Sequence, residues 1–352
     1  MTRRDFLQKA SAGAVALSLP CSAALLKATG MGVVVHSYAT RWNSKVTSRQ
    51  YPGFANALEL LEHCAQSGAG GVQVVVNDWA PAFTRQFRDR REKLGLYLEG
   101  SVGLPKKPGD VAAFERDVRA ASEAGARVLR TVSLGGRRYE TFRSLADWQA
   151  FRKSAVLALQ LAEPVLRRHG VRLGVENHKD WRADELAALL NAIGSEYVGA
   201  TIDFGNSIAL LEDPLAVVQT LAPFVVSTHI KDMGVKEYAD GFLLAEVPLG
   251  KGILDLPKLV ALCRQHNPEV AFNLEMITRD PLRIPCFREE YWTTFPDVAG
   301  GELARMMRYV RQHPPATALP RVSSLSAEEK LSVEEQNIRD CLAYSRTSLA
   351  FR

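Results

Sequence analysis

From Gly32 onward, short apolar runs alternate with longer stretches in which apolar and charged residues mix. The runs are Val33–His36, Val72–Val76, Leu96–Val102, Val128–Leu134, Leu173–Glu176, Val198–Asp203, Val225–Lys231 and Ala271–Glu275. They are rich in β-branched residues and mostly lack the alternation of a strand with one wet face. They read as strands buried on both sides in a parallel sheet. Between them lie Ala55–Gln66, Phe83–Lys93, Val111–Glu123, Leu145–Arg168, Ala183–Ala192, Pro214–Leu221 and Leu256–Gln265, and Gly300–Arg311 closes the series. Leu58, Leu61 and Ala65, and again Leu157, Leu161 and Val165, recur at three- and four-residue steps, as on one face of a helix. Gly68, Gly125 and Gly170 stand where helices should end.

Eight β–α units within about 280 residues, with no break in composition, predict an α/β chain folded as a single (β/α)8 TIM barrel. A doubly wound open sheet is the alternative, but no GxGxxG follows the first run, so a dinucleotide-binding version has no support. Met233–Gly252 and Ile277–Val298 exceed ordinary loop length. Both follow late strands, on the face where barrels keep their chemistry, and they are expected to shape a pocket or act as a lid. After Pro314 the chain is polar with one amphipathic piece, Glu328–Leu342, expected to pack outside the barrel as a C-terminal helical extension.

Strand ends supply the candidate chemistry. Gly174-Val175-Glu176-Asn177-His178, Ala200-Thr201-Ile202-Asp203, Ser227-Thr228-His229-Ile230-Lys231-Asp232 and Phe272-Asn273-Leu274-Glu275-Met276 each run apolar and then reach a group able to bind metal. One such ending means little, because a carboxylate can cap a helix or pair with arginine. Four in succession bring four polar side chains to one rim, and buried charges of one sign need a shared counter-ion. Three carboxylates and one imidazole suit Mn²⁺, Mg²⁺ or Co²⁺ better than Zn²⁺.

Composition narrows the classes. The chain has 352 residues, 47% of them hydrophobic and 24% charged, enough for one large core. A net charge of +5 and a pI near 8.9 are too mild, without a clustered basic face, to argue for nucleic acid. The run Arg85–Arg91 reads as a solvated helix face. None of the five cysteines (Cys21, Cys64, Cys263, Cys286, Cys341) forms a CxxC pair, so a zinc ribbon or redox dithiol is not expected.

At the N-terminus, Thr2-Arg3-Arg4-Asp5-Phe6-Leu7-Gln8-Lys9 resembles the twin-arginine export motif, with Gln8 inserted before the lysine. An apolar segment from Ala12 to Leu19 and small residues around Ser22 to Ala24 complete a signal-peptide layout. The apolar run is too short to span a bilayer, so no stable membrane insertion is expected. The expected partner is therefore the twin-arginine export machinery, which carries folded proteins, and the expected location is periplasmic. The alternative is a cytoplasmic protein with a basic amphipathic N-terminal helix. The chain then divides into a leader over 1–30, a barrel over 31–313 and an extension over 314–352.

The segments Val175-Glu176-Asn177-His178, Ile202-Asp203-Phe204-Gly205-Asn206 and Thr228-His229-Ile230-Lys231-Asp232 resemble the strand ends of the xylose isomerase-like barrels. Within these they resemble the sugar isomerase/epimerase branch that includes the ketose 3-epimerases. The resemblance covers about Gly32 to Arg311. It implies one divalent metal, Mn²⁺ first, held by Glu176, Asp203, His229 and Glu275. It further implies a ketose or 3-oxo sugar substrate handled through an enediolate that the metal stabilises, with Glu176 and Glu275 exchanging protons. The same enediolate arises when a 3-oxo sugar acid, such as 3-oxo-isoapionate, loses CO₂, and the resemblance also extends to barrels that cleave 3-oxo-glycosides, so a lyase is the competing expectation. Lys231, Arg279 and His178 are candidates to face a carboxylate, and Asn206 stands near where the epimerases place a histidine. No arginine follows His229 before Arg264, also unlike them. His36, Gln73, Glu99 and Arg130 are candidate sugar contacts from strands one to four, and Trp181 and Trp292 candidate pocket walls. A non-catalytic sugar binder and an apurinic endonuclease are weaker expectations, the latter because only seven histidines occur, with no second cluster. The resemblance also implies a homo-oligomer.

Overall fold

A computed structural model describes residues 30–42 and 45–351. The predicted leader therefore lies outside the described residues. Eight parallel strands close a barrel: β1 (Gly32–Val34), β2 (Gly71–Val75), β3 (Tyr97–Ser101), β4 (Val128–Thr131), β5 (Arg172–Glu176), β6 (Val198–Asp203), β7 (Val225–Ile230) and, after an inserted hairpin, β10 (Ala271–Leu274). Neighbours follow chain order, and β1 pairs with both β2 and β10 to shut the ring. The predicted fold class is thus the observed one, and the strand centres agree. The first run ends earlier than predicted: its last residue, His36, lies in a 3-10 turn over Val35–Tyr38.

The major helices follow the periodicity. They are α1 (Ala57–Gln66), α2 (Pro81–Leu94), α3 (Val111–Glu123), α5 (Leu145–His169), α6 (Ala183–Ile193), α7 (Pro214–Leu221), α8 (Leu256–His266) and α10 (Gly300–Gln312). Local chemistry sets their ends. Asn56 caps α1 by accepting from Leu58 and Glu59 N–H, Asp213 caps α7 ahead of Pro214, and Gly170 stops α5 in the left-handed region. A short helix α4 (Arg138–Thr141) precedes α5 and was not foreseen.

The two long segments are not loose loops. Asp232–Tyr238 (β8) and Gly241–Val247 (β9) form an antiparallel hairpin, and Leu282–Ile284 (β11) adds a third strand beside β9. This small sheet, a short helix α9 (Glu289–Trp292) and α10 enclose a second core, with Met233, Val235, Phe242, Leu244, Ile284 and Tyr291 buried in it. The sheet thereby stands over the carboxyl ends of β6 and β7. The tail carries α11 (Ala327–Ser348), opened by a capping box between Ser326 and Glu329. Its apolar face, including Ile338, Cys341 and Leu342, joins the barrel's core. No described helix is long and apolar enough to cross a membrane. The four described cysteines are free and buried.

Candidate metal centre

Register brings the four predicted ligands together. In the β6–β7 ladder Asp203 lies directly opposite His229, after a register shift between Ala200 and Thr201. A shift of this kind re-aims the side chains beyond it. In the β7–β10 ladder His229 pairs with Asn273, which leaves Glu275 just past the end of β10 with its N–H bonded to Ile230 O. Glu176 is the last residue of β5 and lies opposite Thr201. Close approach of β5 to β6 needs glycine at position 174, where a Cβ would collide with the Thr201 side chain.

One ligand atom from each of Glu176, Asp203, His229 and Glu275 lies within 4.8 Å of the other three, and all four residues are buried. His229 Nδ1 faces Glu275 Oε1 at 3.5 Å, Glu176 Oε2 at 3.6 Å and Asp203 Oδ2 at 3.9 Å. It has no hydrogen-bond partner. The other ring nitrogen, Nε2, is 2.7 Å from Gln73 Oε1 and donates to it. Gln73 Nε2 in turn donates to Glu99 Oε2 at 2.9 Å, an oxygen that also accepts from Ser227 Oγ and Asn273 Nδ2. This relay orients the imidazole with the Nδ1 lone pair toward the acids, the arrangement of a metal-ligating histidine. The donor set and this orphan nitrogen fit a divalent cation.

Each acid is also held by neighbouring donors. Glu176 is bound by Arg130, whose Nε donates to Oε2 at 2.6 Å, and by Asn206 Nδ2 at 3.0 Å from Oε1. Asp203 Oδ1 accepts the N–H groups of Gly205 and Asn206. Lys231 bridges two of the acids, with Nζ 2.7 Å from Asp203 Oδ2 and 2.5 Å from Glu275 Oε2. His36 Nδ1 reaches Glu275 Oε1 at 3.3 Å, and its side chain is 43% exposed, so it marks the open side of the ring.

These contacts shape the charge. Burial works against ionisation of Glu176, but Arg130 and His229 outweigh it and hold the carboxyl well below the usual range. For Glu275 burial is likewise overcome, by Lys231 and His229. Burial raises Asp203, with Lys231 only partly offsetting it. Burial opposes charge on His229 as well, yet Glu176 and Glu275 push it up to about 9. The carboxylates that would attract a cation to Nδ1 thus also favour a proton there.

The remaining candidates fall into different roles. Lys231 does not pair with Asp232, as its sequence position suggests; the Asp232 carboxylate instead accepts N–H groups from Met233, Gly250, Gly252 and Leu254. His178 bonds Leu134 O through Nδ1, and burial pushes it down to about 4, so it is neutral at neutral pH. Arg279 grips Glu246 with two nitrogens. Of the candidate sugar contacts, Gln73 bonds His229 and Arg130 bonds Glu176, while Glu99 stands behind Gln73 in the relay. Trp181 packs on Trp148 and Phe151 inside the core rather than walling a pocket, and Trp292 Nε1 donates to Cys286 O.

Two residues of the site escaped the sequence reading. Glu246 lies on the buried face of β9 with Phe242 and Leu244, and an acid at that parity in an apolar hairpin was a usable signal. Lys179 is buried with its Nζ on Asn206 Oδ1, at a backbone φ of 84° that no sequence pattern discloses.

Comparison with known proteins agrees with this fold. Curated relatives include a 3-oxo-isoapionate decarboxylase of Pectobacterium atrosepticum, 29% identical over 68% of this chain and 83% of that protein. Another is the uncharacterized protein YihM of Escherichia coli, 24% identical over 68% and 72%. Among solved structures, a D-psicose 3-epimerase determined in the presence of D-fructose superposes with a TM-score of 0.55 at 16% identity, covering 91% of this chain and 99% of that one. A Mycobacterium smegmatis barrel in complex with magnesium gives the same TM-score at 15% identity, covering 80% and 97%. The family model described as xylose isomerase-like TIM barrel matches residues 61–294, well over half of the chain, and the protein belongs to that family.

Proposed function

We propose that the protein is a divalent-metal-dependent enzyme acting on a 3-oxo sugar derivative through an enediolate, and that the bond it breaks is the one to a departing carboxylate. The reading rests on the ring of Glu176, Asp203, His229 and Glu275, with His229 Nδ1 aimed into it and lacking a partner. These four would hold the cation, and the oxygen-rich set suits Mn²⁺, Mg²⁺ or Co²⁺. A bound cation would supply Lewis acidity to a substrate carbonyl and favour the negative charge developing on its oxygen.

The chain's own residues favour loss of CO₂. In a 3-oxo sugar acid the C1–C2 bond breaks, its electron pair becomes the C2–C3 double bond of the enediolate, and C2 then takes up a proton. No carboxylate base is needed for the first step. Glu176 and Glu275 are poor bases as they stand, since Arg130 and Lys231 hold both well below the ordinary carboxylate range. The likeness to a 3-oxo-isoapionate decarboxylase supports the same choice.

An isomerase or epimerase is the second reading. Glu176 and Glu275 approach His229 Nδ1 from separate strands at 3.6 and 3.5 Å, so two carboxylates could serve two faces of one substrate carbon. In that case one removes the C–H proton and the other returns a proton from the opposite side. The predicted leader would deliver the folded protein to the periplasm.

The test uses purified protein loaded with Mn²⁺ and offered 3-oxo sugar acids and free ketoses in D₂O. Release of CO₂ with one solvent deuterium at the former C2 is the expected result. Deuterium exchange into a ketose without CO₂ would establish the second reading. Stoichiometric Mn²⁺ with neither outcome would overturn both and leave a sugar-binding barrel.

A further inference from the structure

Lys179 has no assigned task, and its setting is unfavourable in two ways. Its φ of 84° lies in the left-handed region, where a residue with a Cβ is strained and glycine is not. Its side chain is buried, which disfavours an ammonium without an anionic partner.

The turn around it is fixed from several sides. Asn177 exchanges hydrogen bonds with the backbone of Asp203, through its Oδ1 to the N–H and its Nδ2 to the carbonyl. The Asp180 carboxylate accepts from the N–H groups of His178, Trp181 and Leu134. Arg138 N–H donates to Lys179 O. The backbone is thus held in a conformation that places Lys179 Nζ on Asn206 Oδ1, and the same Asn206 donates from Nδ2 to the metal-site carboxylate of Glu176.

The acids nearby are already engaged. Glu246 is gripped by Arg279, and Asp203 lies against Lys231. Lys179 forms an ion pair with neither, nor with any other described carboxylate, and its one hydrogen-bond acceptor is a neutral amide. An ammonium has three N–H bonds to give. Burial, followed by repulsion from Lys231, pushes its pKa down to about 8, a displacement that an incoming anion would relieve.

We propose that Lys179 anchors an anionic oxygen of the substrate, so that this site selects carboxylate-bearing sugars over neutral ones. The inference rests on the reading of the ring as a sugar-processing metal site. It adds the determinant of substrate class: a positive group next to the acid ring whose partner is brought by the ligand. A charge-assisted bond of this kind is worth about 10- to 100-fold in affinity.

The test measures equilibrium binding rather than turnover, so it stands apart from the reaction assay. Mn²⁺-loaded wild type, Lys179→Met and Lys179→Gly are titrated with D-erythronate and with its uncharged counterpart erythritol. Glycine tolerates the left-handed backbone, so the second variant removes the charge while relieving the strain and keeps the test usable if methionine misfolds. Wild type should favour erythronate about 10-fold or more, and both variants should lose most of that preference while Mn²⁺ and erythritol affinities stay within about twofold. A preference retained in the variants would mean that erythronate is held by the metal alone and would overturn the proposal. An equal fall in both affinities would mark Lys179 as structural and overturn it as well. If wild type selects erythronate through Lys179 yet releases no CO₂ and exchanges no deuterium, the reaction fails and the specificity stands.

Discussion

Two buried ionic clusters flank the turn Val35–Tyr38, and they are built on opposite principles. On one side, the tail helix docks through Glu334 and Glu335. Glu334 accepts the N–H groups of Thr40 and Arg41 at 2.7 and 3.1 Å. Glu335 accepts from Arg41 Nη1 at 2.9 Å and from Arg339 Nε at 2.9 Å, and has His63 Nε2 at 3.0 Å. Arg41 also donates to Pro52 O and stacks over Phe54, with its guanidinium 4.2 Å from the ring centroid. No side-chain polar atom of Arg41, Glu334 or Glu335 is buried without a partner. On the other side, the metal-site acids converge on His229 Nδ1, which has none. Saturated geometry fixes a structure; an unsatisfied buried nitrogen ringed by carboxylates leaves a place that a cation could fill.

The comparison breaks most sharply in activity. Glu176→Gln and Glu275→Gln should each cut turnover about 10³-fold or more, since each removes a carboxylate that would hold and position the cation on which stabilisation of the substrate's negative charge depends. The fold should persist, with thermal midpoints close to wild type and some metal still bound. Steady-state rates beside calorimetric melting check this; turnover near wild type in either variant would remove that glutamate from the chemistry. The tail cluster predicts the converse. Glu335→Leu strands Arg41 as a buried charge and should cost about 3 kcal/mol or more of stability, measured by urea unfolding, with Mn²⁺ affinity little changed. A comparable loss of metal binding would mean that the tail, through the turn carrying His36, governs the site directly.

What the sequence disclosed divides along the same line. The barrel was legible because buried parallel strands are apolar throughout and helices repeat at 3.6 residues. The four candidate ligands were legible because each is a polar ending on an apolar strand. Their supporting residues were visible only as residue types. Nothing in the order Val72-Gln73-Val74 says that Gln73 faces His229 across the barrel, since that contact spans 156 residues. Arg130 meets Glu176 on the neighbouring strand, two residues past its register partner Gly174, so that pair depends on a strand register the sequence does not display. The hairpin was missed for another reason. Asp232–Tyr238 and Gly241–Val247 bury one face on a local second core, so their alternation resembles neither a barrel strand nor a helix. The Lys179 backbone left no trace, because a left-handed lysine breaks the rule by which turns are recognised.

Protons should also separate the two clusters. Without metal, His229 is held at about 9, above the ordinary value of about 6.5. A raised folded value gives stability that is present below about 6.5 and lost as pH rises through about 9. A cation requires the neutral imidazole, so below pH 9 it must displace a proton. Apparent Mn²⁺ affinity should then climb about tenfold per pH unit between 7 and 9. Isothermal titration in buffers of different ionisation enthalpy counts the proton released; release near zero at pH 7 would show that Nδ1 is already free. Glu335 behaves oppositely. Burial raises its pKa, but His63, Arg339 and Arg41 together lower it to about 2. Its contribution is present above the unfolded value near 4.5 and lost as pH falls toward 2, with or without metal.

The smallest effect tests the relay behind the imidazole. Gln73→Leu removes the acceptor on His229 Nε2 and leaves the Glu99 cluster one donor short. Glu99 is already raised to about 7 by burial, with Ser227 and Gln73 pulling the other way, so losing Gln73 should raise it further. The imidazole is then free to carry its proton on either nitrogen, and only one tautomer offers Nδ1 to a cation. Loss of such a supporting contact typically costs about 10-fold or somewhat more in metal affinity. Gln73→Glu, an acceptor of similar size, should recover most of it despite the added charge near Glu99. If leucine and glutamate weaken binding equally, the orientation of His229 comes from packing alone, and the site is more like the tail cluster than its unpaired nitrogen implies.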